Sequence, residues 1–135
     1  MGNICSRELV GIVFGKMRSC AKNGDFMILK REINTDFIER HSLSRQKQQC
    51  ILLGITLEDY CESEPSEKVS GSYIHVFGPQ VQLQNRFGAS ETVELYVKFE
   101  IIERPHGDMT VFISFHEQTY PATYPFREQR KEGFK

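Results

Sequence analysis

The pattern of apolar and polar positions divides the chain into a helical first half and a second half of strands. Apolar side chains recur at helical spacing from Leu9 to Cys20. Ser6 precedes them as a good N-cap, and Asn23-Gly24 follows them as a stop signal. The sequence therefore predicts a first helix that ends near residue 24.

Two shorter helices and a turn are predicted after the first helix. The apolar run 26–29 predicts a brief extended segment, and Asn34-Thr35 is the predicted cap of the helix that follows it. Ser44 is the predicted cap of another helix that runs to Gly54. The spacing Thr56-x-x-Asp59 resembles a capping box and predicts one further turn.

The second half alternates between apolar and polar residues with the period of two that strands require. A polar loop is predicted over 62–71, and the four strands predicted after it are Tyr73–Phe77, Val81–Gln84, Val93–Ile102 and Met109–His116. The short turn between the last two strands predicts a hairpin. Helices followed by strands indicate an α+β fold, with the N-terminal helices packed on a C-terminal antiparallel sheet. The whole chain, 1–135, is expected to be one domain, with an N-terminal helix in 1–24 and a C-terminal extension in 117–135.

Strand alternation brings four chemically useful side chains together. In 93–102 the odd positions are predicted to face the core, which leaves Tyr96 and Lys98 on the other face. In the partner strand the residues predicted to face the core are Val111, Ile113 and Phe115, and those predicted to face outward are Phe112, Ser114 and His116. Antiparallel pairing then collects Tyr96, Lys98, Ser114 and His116 on one open face of the sheet.

These groups suit the cleavage of RNA by its own 2′-hydroxyl. That reaction needs a base, an acid and positive charge near the phosphate, and it requires no metal. Histidine can act as acid or base, lysine supplies electrostatic stabilisation, and tyrosine can stack on a base or pass a proton. An ordinary exposed sheet face fits the same pattern, because Glu94, Lys98 and Glu100 can form cross-strand charge pairs. Tyr120, Tyr124 and Arg127 either pack over the sheet or contact a ligand.

Composition narrows these alternatives only partly. Apolar residues make up 39% of the chain and charged residues 26%, as in globular proteins, and no apolar run approaches the roughly 18 residues of a membrane span. The N-terminus is not a secretory signal, although Met1-Gly2 with Ser6 fits a short myristoylation pattern. The four cysteines show neither a CxxC pair nor a histidine at metal spacing, so we expect no metal or other cofactor and a cytoplasmic location.

Charge is unevenly distributed along the chain. The net charge is −1, but residues 1–50 carry nine Lys and Arg against five Asp and Glu, whereas 51–135 carry eight against thirteen. Nucleic-acid binders usually have a basic surplus, because phosphate contacts dominate their affinity. Any basic patch must therefore come from the first half and from the tail, which contains Arg127, Arg130, Lys131 and Lys135.

Four segments resemble a known family. They are "CILLGITLEDY" (50–60), "VFG" (76–78), "ELYVKFEI" (94–101) and "FISFHEQTYPATYPF" (112–126). Their order and spacing are similar to those of the motility quorum-sensing regulator (MqsR) family of type II toxins. The resemblance implies a RelE-like α+β fold and a metal-independent endoribonuclease that cuts single-stranded mRNA. It also implies a cognate antitoxin protein as partner.

The resemblance also assigns residues. The family's catalytic tyrosine falls on Tyr96 and the lysine two residues later on Lys98, while the late catalytic lysine is replaced by His116. A further family lysine falls near Glu62 and a glutamine near Phe77, and neither is retained. In this interpretation Ser114, Tyr120, Tyr124 and Arg127 contact substrate. Two alternatives stay open: an inactive binding module of the same fold in a regulatory complex, and a plain interaction domain.

Overall fold

Residues 3–127 are described in a computed structural model of the chain. Within them the fold is α+β, as predicted, with three α-helices and six strands. The elements are α1 (Arg7–Asn23), β1 (Phe26–Ile28), α2 (Glu32–Arg40), α3 (Arg45–Leu53), a 3₁₀ turn (Leu57–Asp59), β2 (Tyr60–Pro65), β3 (Tyr73–Phe77), β4 (Gln80–Gln84), β5 (Ser90–Ile102) and β6 (Met109–Glu117). The myristoylation pattern at Met1-Gly2 and the tail residues Arg130, Lys131 and Lys135 lie outside the described residues.

The helix signals in the sequence correspond to real caps. Ser6 accepts a hydrogen bond from the backbone N–H of Leu9, and Ser44 accepts one from that of Lys47. Gly24 ends α1 at φ 78°, a left-handed conformation that glycine adopts without steric cost. The Thr56–Asp59 capping box is present in the 3₁₀ turn.

The second helix begins earlier than predicted. Its N-cap is Arg31 rather than Asn34-Thr35, and Asn34 is a fully buried residue inside α2. The Asn34 side chain donates to the carbonyl oxygens of Leu29 and Ile113 and accepts from the N–H of Phe115. Asparagine, a typical cap residue in sequence, therefore joins α2 to β6 instead.

The sheet is mixed rather than antiparallel. Its strand order is β1-β6-β5-β3-β2, with β4 also paired to β5. The edge strand β1 runs parallel to β6, with Met27 opposite Val111, and the other pairs are antiparallel. The prediction of an antiparallel sheet is wrong at this edge, because the three-residue run that forms β1 does not reveal which distant strand it will join.

β3 and β4 behave as one bent strand against β5. His75 lies opposite Phe99 and Gln80 opposite Glu94, so the register is the same on both sides of Gly78-Pro79. The predicted hairpin of the last two strands is confirmed as β5–β6. The region predicted as a polar loop over 62–71 in fact begins with β2, in which Cys61 and Ser63 are buried beside β3.

A bulge in β6 corrects the predicted alternation. Lys98 pairs with Ser114 but Phe99 pairs with Phe112, so Ile113 is an extra residue in β6. Phe112 and Phe115 are consequently both fully buried, whereas Val111 is only half-buried. The outward position predicted for Phe112 is wrong, and the core positions predicted for Val111 and Ile113 are wrong, because one inserted residue reverses the faces on one side of the bulge.

The helices cover one face of the sheet. Val10, Met17 and Ala21 of α1 join Phe37 of α2 and Leu52 of α3 in a single apolar core. The strands contribute six aromatic side chains to this core, which are Phe26, Tyr60, Phe77, Phe99, Phe112 and Phe115. The opposite face carries Tyr96, Lys98, Ser114 and His116 and has no helix packed across it within residues 3–127.

Candidate functional site

A cleft of about 520 Å³ lies on the open face of the sheet. Its floor consists of side chains from β3, β5 and β6, which are Val76, Tyr96, Lys98, Ser114 and His116. One wall is the segment 118–123, a second is the start of α2 at Arg31 and Ile33, and a third is Cys61 and Glu62 of β2. The structure therefore brings together the four residues that strand alternation predicted.

His116 and Tyr96 form the centre of the floor. They are directly opposite each other in the β5–β6 pair, and their ring centroids lie 5.5 Å apart at a tilt of 30°. The Nδ1 of His116 lies 2.8 Å from the carbonyl oxygen of Glu117, to which it donates. This bond fixes the ring and leaves Nε2 as the nitrogen available for proton transfer in the neutral imidazole.

The surroundings of Tyr96 keep its hydroxyl protonated. Burial raises the pKa of Tyr96, and the nearby carboxylates of Glu62 and Glu64 raise it further, while Arg31 opposes them. The phenol is thus a hydrogen-bond donor at neutral pH rather than a base. Cys61 is similar, because burial and Glu62 raise the pKa of its thiol to about 12, which makes it a poor nucleophile.

Lys98 is paired with a carboxylate. Its Nζ lies 3.8 Å from Oε1 of Glu64, and both side chains are partly exposed. A pair of this kind contributes little stability, but it offsets the positive charge that the resemblance assigns to catalysis. Glu64 lies in β2, within the segment predicted as a loop, so sequence periodicity did not predict this contact.

Arg31 is a site residue that sequence reasoning missed. Its Nη1 donates to Oγ of Ser114 at 3.0 Å and to the carbonyl oxygen of Ile113 at 3.0 Å. The two partners are more than 80 residues away in sequence, and Arg31 belongs to none of the motifs that carry the family resemblance. The pairing of β1 with β6 and the buried contact of Asn34 with β6 bring Arg31 to the cleft.

Residues 118–127, the C-terminal strap, form one wall of the cleft and pass beside Gly78, after which Phe126 packs against the core. The hydroxyl of Tyr124 donates to the carbonyl oxygen of Gly78 at 2.8 Å and accepts from Nε2 of Gln118 at 3.1 Å. The Arg127 guanidinium lies 3.5 Å above the Tyr124 ring and 3.3 Å from Asp59. A Cβ at Gly78 would lie only 2.7 Å from Nε2 of Gln118, so glycine is what allows this close approach.

The strap therefore separates the predicted substrate-contacting residues into two groups. Tyr120 lines the cleft and is 82% exposed, so its ring is accessible to a ligand. Tyr124 bonds to Gly78, Arg127 pairs with Asp59 of the 3₁₀ turn, and neither residue lines the cleft.

No group of three or more His, Cys, Asp or Glu side chains in residues 3–127 is placed to hold a metal ion. In the same residues no helix is both long and apolar enough to cross a membrane. Comparisons of the chain with protein-family models, with curated proteins and with solved structures find no match. The function is therefore inferred from the geometry of the cleft and from the quoted motifs.

Proposed function

We propose that this chain is the toxin of a type II toxin–antitoxin system, a metal-independent endoribonuclease that cleaves single-stranded mRNA in the cytoplasm. The observation that carries the proposal is the orientation of the His116 ring and its position in the cleft. Its Nδ1 is held by a backbone carbonyl, and its ring lines a cleft that also contains Tyr96, Lys98 and Arg31. An oriented imidazole beside positive charge is what 2′-hydroxyl attack on a phosphodiester requires.

The proposed reaction uses each group once. Neutral His116 accepts the proton of the 2′-hydroxyl through Nε2 while the 2′-oxygen forms its bond to phosphorus. The bond from phosphorus to the 5′-oxygen breaks, and the protonated hydroxyl of Tyr96 donates its proton to that oxygen. The products are a 2′,3′-cyclic phosphate and a 5′-hydroxyl. Lys98 contributes positive charge to the transition state, and Tyr120 offers a face for a base to stack on.

The order and spacing of the quoted motifs support a RelE-like fold and a cognate antitoxin protein as partner. The α+β architecture and the open sheet face are compatible with that fold. The absence of the family's late lysine does not remove the chemistry, since the imidazole of His116 can act as acid or base.

An inactive binding module in a regulatory complex is the second candidate. One observation favours it: Glu64 is ion-paired with Lys98, and Glu62 lines the same cleft. The negative charge of these carboxylates would repel the phosphates of an RNA bound in the cleft. A binding module would keep this cleft for contacts with a protein partner and would not cut RNA.

Cleavage of a long single-stranded mRNA in excess EDTA distinguishes the two candidates. The unaltered chain is compared with His116→Ala and with His106→Ala, a control in the exposed turn between β5 and β6. We expect discrete cuts ending in 2′,3′-cyclic phosphate from the unaltered chain and the control, and a rate lower by about 10²- to 10⁴-fold in His116→Ala. Equal cutting by all three proteins, or none, would contradict the nuclease.

A further inference from the structure

We propose that the Arg31 end of the cleft is a phosphate-binding site and that Arg31, rather than Lys98, is its principal cation. The proposal rests on the proposed function only for the source of the phosphate, which is the backbone of RNA. The site itself is defined by the charges and hydrogen bonds of the cleft.

Charge is segregated across the sheet. Glu62 lies opposite Val76, Val76 opposite Lys98, and Lys98 opposite Ser114, so these residues form one row across four strands. At about 4.8 Å between neighbouring strands, the backbone of Glu62 is about 14 Å from that of Ser114. A phosphate at Ser114 and Arg31 is therefore well removed from Glu62, whereas one at the β2 end of the row would meet it directly.

Arg31 and Lys98 differ in what holds them. Lys98 is 3.8 Å from the Glu64 carboxylate, which offsets its charge. Arg31 donates only to uncharged oxygens, those of Ser114 and Ile113, and none of the ion pairs within residues 3–127 involves it. Its positive charge is therefore the less compensated of the two.

The guanidinium of Arg31 also retains hydrogen-bond donors that can bind a phosphate. Both of its hydrogen bonds come from Nη1, so the N–H groups of Nη2 and Nε remain for a ligand. Two N–H groups side by side match two oxygens of a phosphate. Arg31 is exposed, and its anchors on β6 restrict the side chain before any ligand arrives.

Two further features place this site correctly for the chemistry. Ile33, in the first turn of α2, also lines the cleft, so the N-terminal end of this helix borders the site, with the acidic Glu32 in the same turn. Ser114 and His116 are two residues apart on the same face of β6, which is about 7 Å along a strand. A phosphate held by Arg31 would thus lie beside the His116 imidazole.

The test measures binding without cleavage. The probe is a fluorescein-labelled oligodeoxynucleotide, which lacks the attacking 2′-hydroxyl, and its anisotropy is measured at low salt. Arg31→Gln, Arg31→Lys and Lys98→Gln are compared with Arg86→Gln, a control that removes one exposed arginine from the turn between β4 and β5. Thermal unfolding of each variant verifies that it is folded.

We expect binding to weaken by about 10- to 100-fold in Arg31→Gln, the effect of losing charge-assisted hydrogen bonds, and by less than about 3-fold in Lys98→Gln. Arg31→Lys should fall between these values, because lysine keeps the charge but cannot bind two oxygens in a fixed geometry. Arg86→Gln should bind like the unaltered chain.

Several outcomes would overturn the site. They are unaltered binding in Arg31→Gln, a larger loss in Lys98→Gln than in Arg31→Gln, and no measurable binding by the unaltered chain. Failure of this inference and failure of the nuclease remain distinguishable. Binding that depends on Arg31 without RNA cleavage would support the site alone, whereas cleavage that is indifferent to Arg31→Gln would support the nuclease alone.

Discussion

Two histidines of this chain have hydroxyl side chains as neighbours, yet they occupy opposite faces of the sheet. His75 is on the core face, where its Nδ1 lies 2.7 Å from Oγ of Ser63, which in turn lies 2.6 Å from the hydroxyl of Tyr60. His116 is on the open face, opposite Tyr96. Both are largely buried, at 4% and 7% exposure.

The difference lies in the partners of each ring and in the burial of the neighbouring hydroxyl groups. With His75 neutral, Tyr60 donates to Ser63 and Ser63 donates to Nδ1 of His75, while the N–H of Cys5 donates to Tyr60. This series of hydrogen bonds ends at Nδ1 of His75. Burial lowers the pKa of His75 to about 4, although the negative charge of Glu100 opposes the shift. His116 also commits Nδ1, but to a backbone carbonyl. Both rings border a cleft, but Tyr96 lines that of His116, whereas Tyr60 and Ser63 are fully buried. A hydroxyl–imidazole pair therefore indicates chemistry only where a substrate can reach both groups.

The largest expected contrast between the two rings is in stability. His75→Ala should lower the free energy of unfolding by about 2–4 kcal/mol, because it leaves a cavity and removes the acceptor of the buried Ser63 hydroxyl. His116→Ala should lower it by about 1 kcal/mol, since the cleft lets water take the place of the ring. Urea unfolding of the two variants measures both values.

A reversed order would contradict this assignment. If His116→Ala were the more destabilising change, the His116 ring would be a packing element and not a group held for proton transfer. Ser63→Ala provides an internal check, because it breaks the same chain while leaving His75 in place. We expect it to cost less than His75→Ala, at about 1–3 kcal/mol.

The pH dependence of stability should distinguish the two histidines next. The folded pKa of His75, about 4, lies below its ordinary value of 6.5, so between these values the unfolded chain binds a proton that the folded chain does not. The contribution is fully present above about pH 6.5 and is lost as the pH falls through about 4, a total of about 3 kcal/mol. Unfolding in urea at pH 7, 6, 5 and 4.5 should show a steeper loss for the unaltered chain than for His75→Gln. Parallel curves would mean that His75 is not held neutral by the fold.

Much of the fold follows from local sequence signals. Ser6, Ser44 and Gly24 mark helix ends because a cap is a contact within a few residues. The predictions for the direction of β1 and for β2 were wrong because both features depend on pairing with distant residues. Ser63 pairs with His75, 12 residues away, and Phe26 pairs with Thr110, 84 residues away. The bulge at Ile113 was not predicted for the same reason, since only the register with the partner strand β5 defines it.

The candidate site could likewise be predicted only where it depends on local sequence patterns. Alternation alone brought Tyr96, Lys98, Ser114 and His116 to one face, because those four residues lie on the C-terminal side of the bulge or on the regular strand β5. Arg31 lines the cleft and Glu64 pairs with Lys98 only because of tertiary structure, and both contacts alter the charge of the cleft. Sequence periodicity could therefore predict the floor of the cleft but not its electrostatics.

The smallest expected effect concerns the strap that forms one wall of the His116 cleft. Tyr124→Phe removes the hydroxyl that donates to Gly78 and accepts from Gln118, and should lower the free energy of unfolding by about 1 kcal/mol. Tyr120→Phe is the matched control: its ring is 82% exposed, so the change should stay within about 0.5 kcal/mol. Hydrogen exchange at the N–H of Gln118, which donates to Glu94, should quicken in Tyr124→Phe and not in the control. Unchanged exchange in both variants would show that Arg127 and Asp59 hold the strap without Tyr124, and the wall of the cleft would then depend on that ion pair.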